Sequence, residues 1–430
     1  MTNDREKPKK PRSVLIVEPK CNGCVVCMKA CPTRAIRVKN GRAYIIGQLC
    51  VDCGECIRVC PRQAVEPVVS TYRDLAEFQV TVVFPSPSLY SQFGDEVLPN
   101  DVLLALTKLG FDYVYDIGPF CEMVSLAELE WLRKNPEPRP MISATCPVVV
   151  RLITKRFPGL IPLLIPIEPP REIAARYIRR LVRTKTGLPD EAIGVFQITP
   201  CASKIQSINS PLALKHSYLT GALGIADLYG DIYMALKELT TADHDQMLFR
   251  SSGLGLAWDT AGGEVMGLRN VEGTLSVHGL AETIQVLGDI ESGRLVDVTF
   301  VECRTCPDGC LGGCLTVANH YRARATVMNF VQMFGTQPRV RPAEVKQLWR
   351  EGFFDFQKEI PPTPTALGRT PLEALRTLQE AQRLERLLPG RLCGACGAPD
   401  CQTLAEDVVL GRAQLSHCPF MSVKDREVTA

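Results

Sequence analysis

Three short stretches decide how this chain is read: Thr145-Cys146-Pro147, Pro200-Cys201-Ala202-Ser203-Lys204 and Glu302-Cys303-Arg304-Thr305-Cys306-Pro307-Asp308-Gly309-Cys310. Cys146, Cys201, Cys306 and Cys310 each occupy a distinctive local frame there. The Cys201 frame follows the apolar run Gly194-Val195-Phe196-Gln197-Ile198, and Cys303 and Cys306 follow Val298-Thr299-Phe300-Val301. Runs of this length and composition read as buried strands. Open α/β sheets place their ligands beyond the carboxyl ends of their strands, which is where these cysteines fall.

The surrounding pattern agrees. Residues 80–84 and 113–116 read as strands, and 102–109 and 124–134 as helices. Alternation of this kind implies α/β units with parallel sheets. The expected fold class is multidomain α/β: a two-lobed central domain over residues 78–335 with smaller cysteine-rich modules on either side.

The three frames together resemble the signatures T-S-C-C-P, M-P-C-x-x-K and E-x-M-A-C-x-x-G-C of the [FeFe]-hydrogenases, over about residues 80–327. The resemblance implies that Cys146, Cys201, Cys306 and Cys310 hold a cubane [4Fe–4S] cluster. It implies that Cys310 also bridges to a diiron unit carrying CO and cyanide, where H2 and protons interconvert. Lys204 matches the lysine that hydrogen-bonds a cyanide, a role suited to a compact cationic donor. Phe84-Pro85-Ser86 looks like the turn near the cyanides, which makes Pro85 and Ser86 cofactor-binding candidates. Tyr115-Asp116-Ile117, with a helix carrying Glu128, resembles the family's F-D-T segment. The stretch from Leu256 to Met266 is similar to its F-G-A-T-G-G-V-M segment.

The departures carry information too. Thr145 stands where the family has a proton-carrying cysteine, and an unperturbed hydroxyl does not give up its proton near neutral pH. Thr199 and Arg304 replace methionines, and Val149 replaces a tryptophan. Polar groups in a pocket that should be dry either re-tune a diiron unit or mark its absence. Absence would resemble the eukaryotic hydrogenase-like proteins of cytosolic iron–sulfur assembly.

Residues 13–70 open with the apolar Val14-Leu15-Ile16-Val17. Then Cys21-x2-Cys24-x2-Cys27-x3-Cys31-Pro32 recurs, with every spacing kept, as Cys50-x2-Cys53-x2-Cys56-x3-Cys60-Pro61. This is the spacing of bacterial two-cluster ferredoxins, in which the fourth cysteine of each run ligates the other cluster. It assigns Cys21, Cys24, Cys27 and Cys60 to one [4Fe–4S] cluster and Cys50, Cys53, Cys56 and Cys31 to a second. Zinc favours paired C-x2-C sites, and the third cysteine and trailing C-P of each run argue against it.

Residues 71–79 read as a linker, and residues 336–368 as a proline-rich linker or irregular wrap. Leucines at helical spacing mark a helix over 371–387. Cys393-x2-Cys396, Cys401 and Cys418 follow within residues 369–423. They resemble the small four-cysteine [4Fe–4S] domain found at the tail of the sensory class of [FeFe]-hydrogenase-like proteins, including the Ala405-Glu406-Asp407 helix. Zinc is the alternative for this set.

Nineteen cysteines in 430 residues, without an apolar leader, read as metal thiolates in a reducing cytoplasm rather than a disulfide scaffold. A net charge of +2 implies no nucleic-acid or anionic-membrane partner. Apolar runs such as 159–167 contain prolines and are too short to span a bilayer. Residues 1–12 read as a disordered tail. Cys121 reads as a core thiol, Cys303 and Cys314 flank the site, and the five histidines show no ligand spacing. Gly253-x-Gly255 lacks the third glycine of a dinucleotide loop.

Three functional readings follow. The first is a redox or H2 sensor of the [FeFe]-hydrogenase-like family, with slow turnover. Electrons would pass between the central site and the flanking clusters, to be read by a separate kinase, phosphatase or PAS partner. The second is an active hydrogenase with a redox partner. The third is an electron carrier or iron–sulfur assembly protein without a diiron unit. Thr145 argues against the second; Lys204 and Cys306-x3-Cys310 argue against the third.

Overall fold

The computed structural model describes residues 13–363 and 371–421. The expected tail at 1–12, residues 364–368 of the proline-rich segment, and positions 369, 370, 422 and 423 of the C-terminal module lie outside the described residues. The chain divides into two compact units. One is built on Val68–Pro361; the other combines Val14–Pro67 with the chain from Pro362 onward.

The first unit contains two parallel sheets. One runs in the order Tyr113–Val114, Val80–Pro85, Ile193–Thr199, Gly221–Gly224. Ile193–Thr199 is buried along its whole length, as a parallel strand covered on both faces must be. Its apolar composition is what lets it sit there. The other sheet runs Thr274–His278, Phe300–Arg304, Met141–Ile142. Both strands that the sequence placed before cysteine frames are present: Ile193–Thr199 ends at its frame, and Phe300–Arg304 runs into its frame as far as Arg304, so that Cys303 lies within the strand. The helix expected over 124–134 begins earlier, as Gly118–Lys134, because Pro119 pre-sets the backbone of its first turn.

Two linker expectations are corrected. Within 71–79 the chain makes a helical turn, Tyr72–Leu75, whose N-terminus is closed by reciprocal hydrogen bonds between Thr71 and Asp74. Within 336–368 a helix forms at Pro342–Arg350. Pro342 occupies its first turn, where the missing N–H costs nothing. Val345, Leu348, Phe353 and Phe354 then join the core around Val82 and Phe84. Gly253 and Gly255 serve close packing: a Cβ on either would lie within 3 Å of the backbone of Gly335 or Gly118.

The second unit holds the cysteine repeat. Val14–Ile16 pairs antiparallel with Val65–Pro67, and Ile36–Lys39 with Arg42–Ile45. Asn40 and Gly41, both at positive φ, turn that hairpin. Each run of cysteines passes through a one-turn helix, Val26–Lys29 or Glu55–Arg58. The C-terminal part packs Pro371–Glu385 against Cys401–Val409 around Leu384, Leu388, Leu404 and Leu415. It joins the repeat through Val38 N–H, which donates to Gly397 O at 3.0 Å, and through a buried Arg37–Asp407 ion pair. No helix among the described residues is long and apolar enough to cross a membrane.

Candidate iron–sulfur centres

The central cysteines arrive from the carboxyl ends of strands in both sheets. Cys146 follows Met141–Ile142 and caps the Pro147–Arg156 helix; Cys201 follows Ile193–Thr199 and caps Ala202–Asn209. Both therefore sit at the positive end of a helix dipole, which favours the thiolate form of each. Cys306 and Cys310 follow Phe300–Arg304 and lie in one tight turn, where Gly309 N–H donates to Cys306 O at 3.2 Å. Gly309 sits at φ +72°, and a Cβ there would lie 2.5 Å from Asp259 O. That contact, with Cys310 N–H donating to Asp259 O at 2.7 Å, fixes the turn against the 256–266 segment. Asp308 in the same turn is held by His320 at 2.6 Å and Arg324 at 2.9 Å.

Ser86 and Lys204 meet because their strands are neighbours: Pro85 is in register with Ile198, and Ser86 N–H donates to Ile198 O. Between them lies a carboxylate that the sequence did not reveal. Ser86 Oγ donates to Asp259 Oδ2 at 2.5 Å, and Ser88 N–H donates to the same oxygen at 3.0 Å. Lys204 Nζ stands 3.6 Å from Asp259 Oδ1, 3.2 Å from Ser86 Oγ and 3.6 Å from Cys310 Sγ. Burial opposes the charge on Lys204, but Asp259 and the Cys310 and Cys201 thiols outweigh it and push the ammonium up to about 12. Asp259, though buried, is held below the usual carboxylate range by Lys204 and Ser86.

Arg304, 2% exposed, is also internally neutralised. It donates to Glu264 at 2.9 Å, to Glu302 at 3.2 Å and to Trp258 O at 3.3 Å. Burial, then Glu264, pushes the neighbouring Glu128 carboxyl well above its ordinary range. Thr199 Oγ1 accepts from Cys201 N–H at 3.3 Å, which shapes the ligand turn. Thr145 is buried; its carbonyl accepts from Arg171 at 3.4 Å. Cys303 is buried in its strand, and that burial pushes its thiol up. Cys121 is buried in the core.

A cubane suits these residues. Burial, then Asp259, pushes the Cys310 thiol up to about 12, so only a strongly cationic guest draws off its proton. A diiron unit with cyanide ligands would have to share Ser86 and Lys204 with Asp259. Of the two residues that the resemblance places near the cyanides, Ser86 donates to Asp259, and Lys204 forms an ion pair with it at 3.6 Å while donating to Ser86. A further anion beside that fixed carboxylate, in a site of low dielectric, meets like-charge repulsion.

In the second unit the repeat crosses over. Cys21, Cys24, Cys27 and Cys60 line one cavity. Burial, then Cys60, pushes Cys27 up to about 11, and Cys53 is raised by burial and by Cys56, Cys31 and Cys50. Cys393, Cys396, Cys401 and Cys418 line another cavity. Among the described residues no three His, Cys, Asp or Glu side chains converge on a single ion. Thiols ringing a cavity suit the corners of a cage better than one tetrahedral zinc.

Comparison with known proteins agrees with this architecture. Residues 79–271 match the family "Iron only hydrogenase large subunit, C-terminal domain", residues 20–65 the "4Fe-4S dicluster domain", and residues 388–420 an Fe–S cluster family. The cytosolic Fe-S cluster assembly factor NAR1 of Yarrowia lipolytica is 26% identical over 120 residues, 27% of this chain. The match spans only 24% of that relative's length. Two structures of [FeFe]-hydrogenase HydA1 from Chlamydomonas reinhardtii, a variant and an apo form, align with TM-score 0.53 at 15% identity. Each alignment covers 68% of this chain and 98% of the other, a likeness of fold. The chain therefore carries the C-terminal domain typical of iron-only hydrogenase large subunits, with a 4Fe–4S dicluster domain and a C-terminal Fe–S motif, and is an iron–sulfur protein related to the [FeFe]-hydrogenases.

Proposed function

We propose that the chain is a multi-cluster redox protein whose central site carries electrons rather than turning over H2. Cys146, Cys201, Cys306 and Cys310 would hold one cubane, the cysteine repeat two, and Cys393, Cys396, Cys401 and Cys418 a fourth. A bound [4Fe–4S] cluster supplies one-electron redox chemistry. The protein supplies the rest: one buried and three half-buried thiols, two helix N-termini, and cations already matched to carboxylates. A change of oxidation state would be read by a separate partner protein, as expected of a sensor.

The observation that carries this reading is Asp259 lodged between Ser86 and Lys204. Lys204 argues for a diiron unit only with a cyanide as its partner; paired with Asp259, it argues the other way. Thr145, in place of a thiol acid, points the same way. The likeness to a cytosolic Fe–S assembly factor is consistent with it.

Infrared spectroscopy tests the reading on reconstituted protein incubated with a synthetic diiron precursor. The expected spectrum has no bands from metal-bound CO or cyanide, while iron analysis and a Cys201→Ser comparison show the central cubane in place. Such bands in the wild-type protein, shifting under H2, would overturn it. Asp259→Ala frees Ser86 and Lys204, and is the variant expected to admit the diiron unit.

A further inference from the structure

Next to Thr145 and Cys146 the first unit holds a cavity that electron transfer by itself does not require. Ala144, Pro147, Glu168, Arg171 and Ser207 line it, with Phe356 on its half-buried outer side. Among the buried polar atoms on its wall that make no hydrogen bond are Glu168 Oε1 and Arg171 Nε. A buried acceptor and a buried donor left unpaired in a space roomy enough for water mark a wet site.

Of the two carboxylates on the wall, Glu168 is the one left over. Glu172 is engaged, accepting from Ser217 Oγ at 2.8 Å and Tyr218 N–H at 3.0 Å. Arg171 donates through its terminal nitrogens to Thr145 O at 3.4 Å and Ser207 Oγ at 3.1 Å. The charged groups facing Glu168 are Glu172 and Arg171 beside it in sequence and Arg151 from the Pro147–Arg156 helix. The other walls, 207–214 and 356–360, contribute no titratable side chain. Burial, then Glu172, pushes the Glu168 carboxyl up to about 8 despite Arg171.

We propose that this cavity is the proton-exchange site of the central iron–sulfur centre, with Glu168 holding the proton and Arg171 linking it to the Thr145 carbonyl and the Cys146 loop. The proposal rests on the reading of the four central cysteines as cubane ligands. When a low-potential one-electron carrier delivers an electron there, the added negative charge raises the proton affinity of Glu168. Above about pH 8, where Glu168 is ionised before reduction, its carboxylate then takes one proton from solvent through the cavity water, forming one O–H bond; below that it already carries the proton and reduction takes up none. Oxidation returns the electron to an acceptor and the proton to solvent. Arg171 stays charged throughout and orients water rather than relaying protons.

The test is a redox titration of the full-length reconstituted protein from pH 6 to 10, followed by electron paramagnetic resonance. The central signal is the one lost in Cys201→Ser. Its midpoint should be flat below about pH 8. Above that it should fall, the reduction equilibrium shifting tenfold per pH unit, or 59 mV for one electron. Glu168→Gln should flatten the profile and Glu168→Asp should keep the slope. A flat wild-type profile, or a slope that survives in Glu168→Gln, overturns the proposal while leaving the cubane reading intact. Absence of any Cys201-dependent signal overturns the cubane reading itself, and the proposal with it.

Discussion

Arg37 and Asp407 lie 370 positions apart and meet as a buried two-pronged ion pair. Arg37 Nη2 donates to Asp407 Oδ1 at 3.1 Å and Nε donates to Oδ2. Arg37 also donates to the Ile36 carbonyl, so its charge is fully committed. The pair ties the hairpin of the cysteine repeat to the Cys401–Val409 helix within one unit. Asp407→Asn leaves a buried guanidinium without its counter-charge, which costs about 3–5 kcal/mol. Chemical denaturation should show the second unit unfolding earlier by that amount, with the first unit unaffected. A change below about 1 kcal/mol, the value of an exposed pair, would show that the contact carries no structural weight.

Gly397 makes the second contact of that junction. Its φ is +84°, and a Cβ there would run into the Val38 carbonyl oxygen. That atom is backbone in a strand and has nowhere to move. Gly397→Ala should therefore push the loop holding Cys393, Cys396 and Cys401 off the hairpin. Iron per chain should fall by about four, the content of one cubane. Full iron content in the variant would mean that the loop forms its site without the hairpin.

The cysteine repeat was legible because its information is one-dimensional: fixed spacings that only a cage-binding loop needs. The buried parallel strands were legible for a similar reason, since continuous apolar runs of six or so residues have few other uses. What stayed hidden were pairings set by three-dimensional register. Ser86 and Asp259 are 173 positions apart, and no spacing announces them as partners. Arg304 looked like a charge intruding on a dry pocket; Glu264 and Glu302, which neutralise it, come into range only once the 256–266 segment packs on the strand. Pro342 looked like a linker residue because proline breaks a helix interior, yet it opens one here.

The crossover between the two runs of cysteines gives a sharp test. Cys60 lines the same cavity as Cys21, Cys24 and Cys27, although it belongs to the other run. Cys60→Ser should therefore disturb the cluster of the first run and spare the one held by Cys50, Cys53 and Cys56. Cys31→Ser should do the reverse. Paramagnetic resonance of each variant alone and of the pair would separate the two signals. If Cys60→Ser and Cys50→Ser lost the same signal, each run would be closing on its own cluster.

Arg304→Met restores the residue that the resembled signature carries, yet here it should harm the fold. The guanidinium faces Glu264 and Glu302 directly, and burial, then Glu264, raises the carboxyl of Glu128 behind them. All are buried, so taking the cation away leaves carboxylates facing one another out of water. Removing one partner of such a buried network costs about 3–5 kcal/mol. Glu264→Gln in the same chain removes one of the stranded charges and should recover part of that loss. Coupling between the two changes is read directly from a double-mutant cycle in urea unfolding. A cost for Arg304→Met that is unchanged by Glu264→Gln would show that Arg304 acts through packing rather than charge.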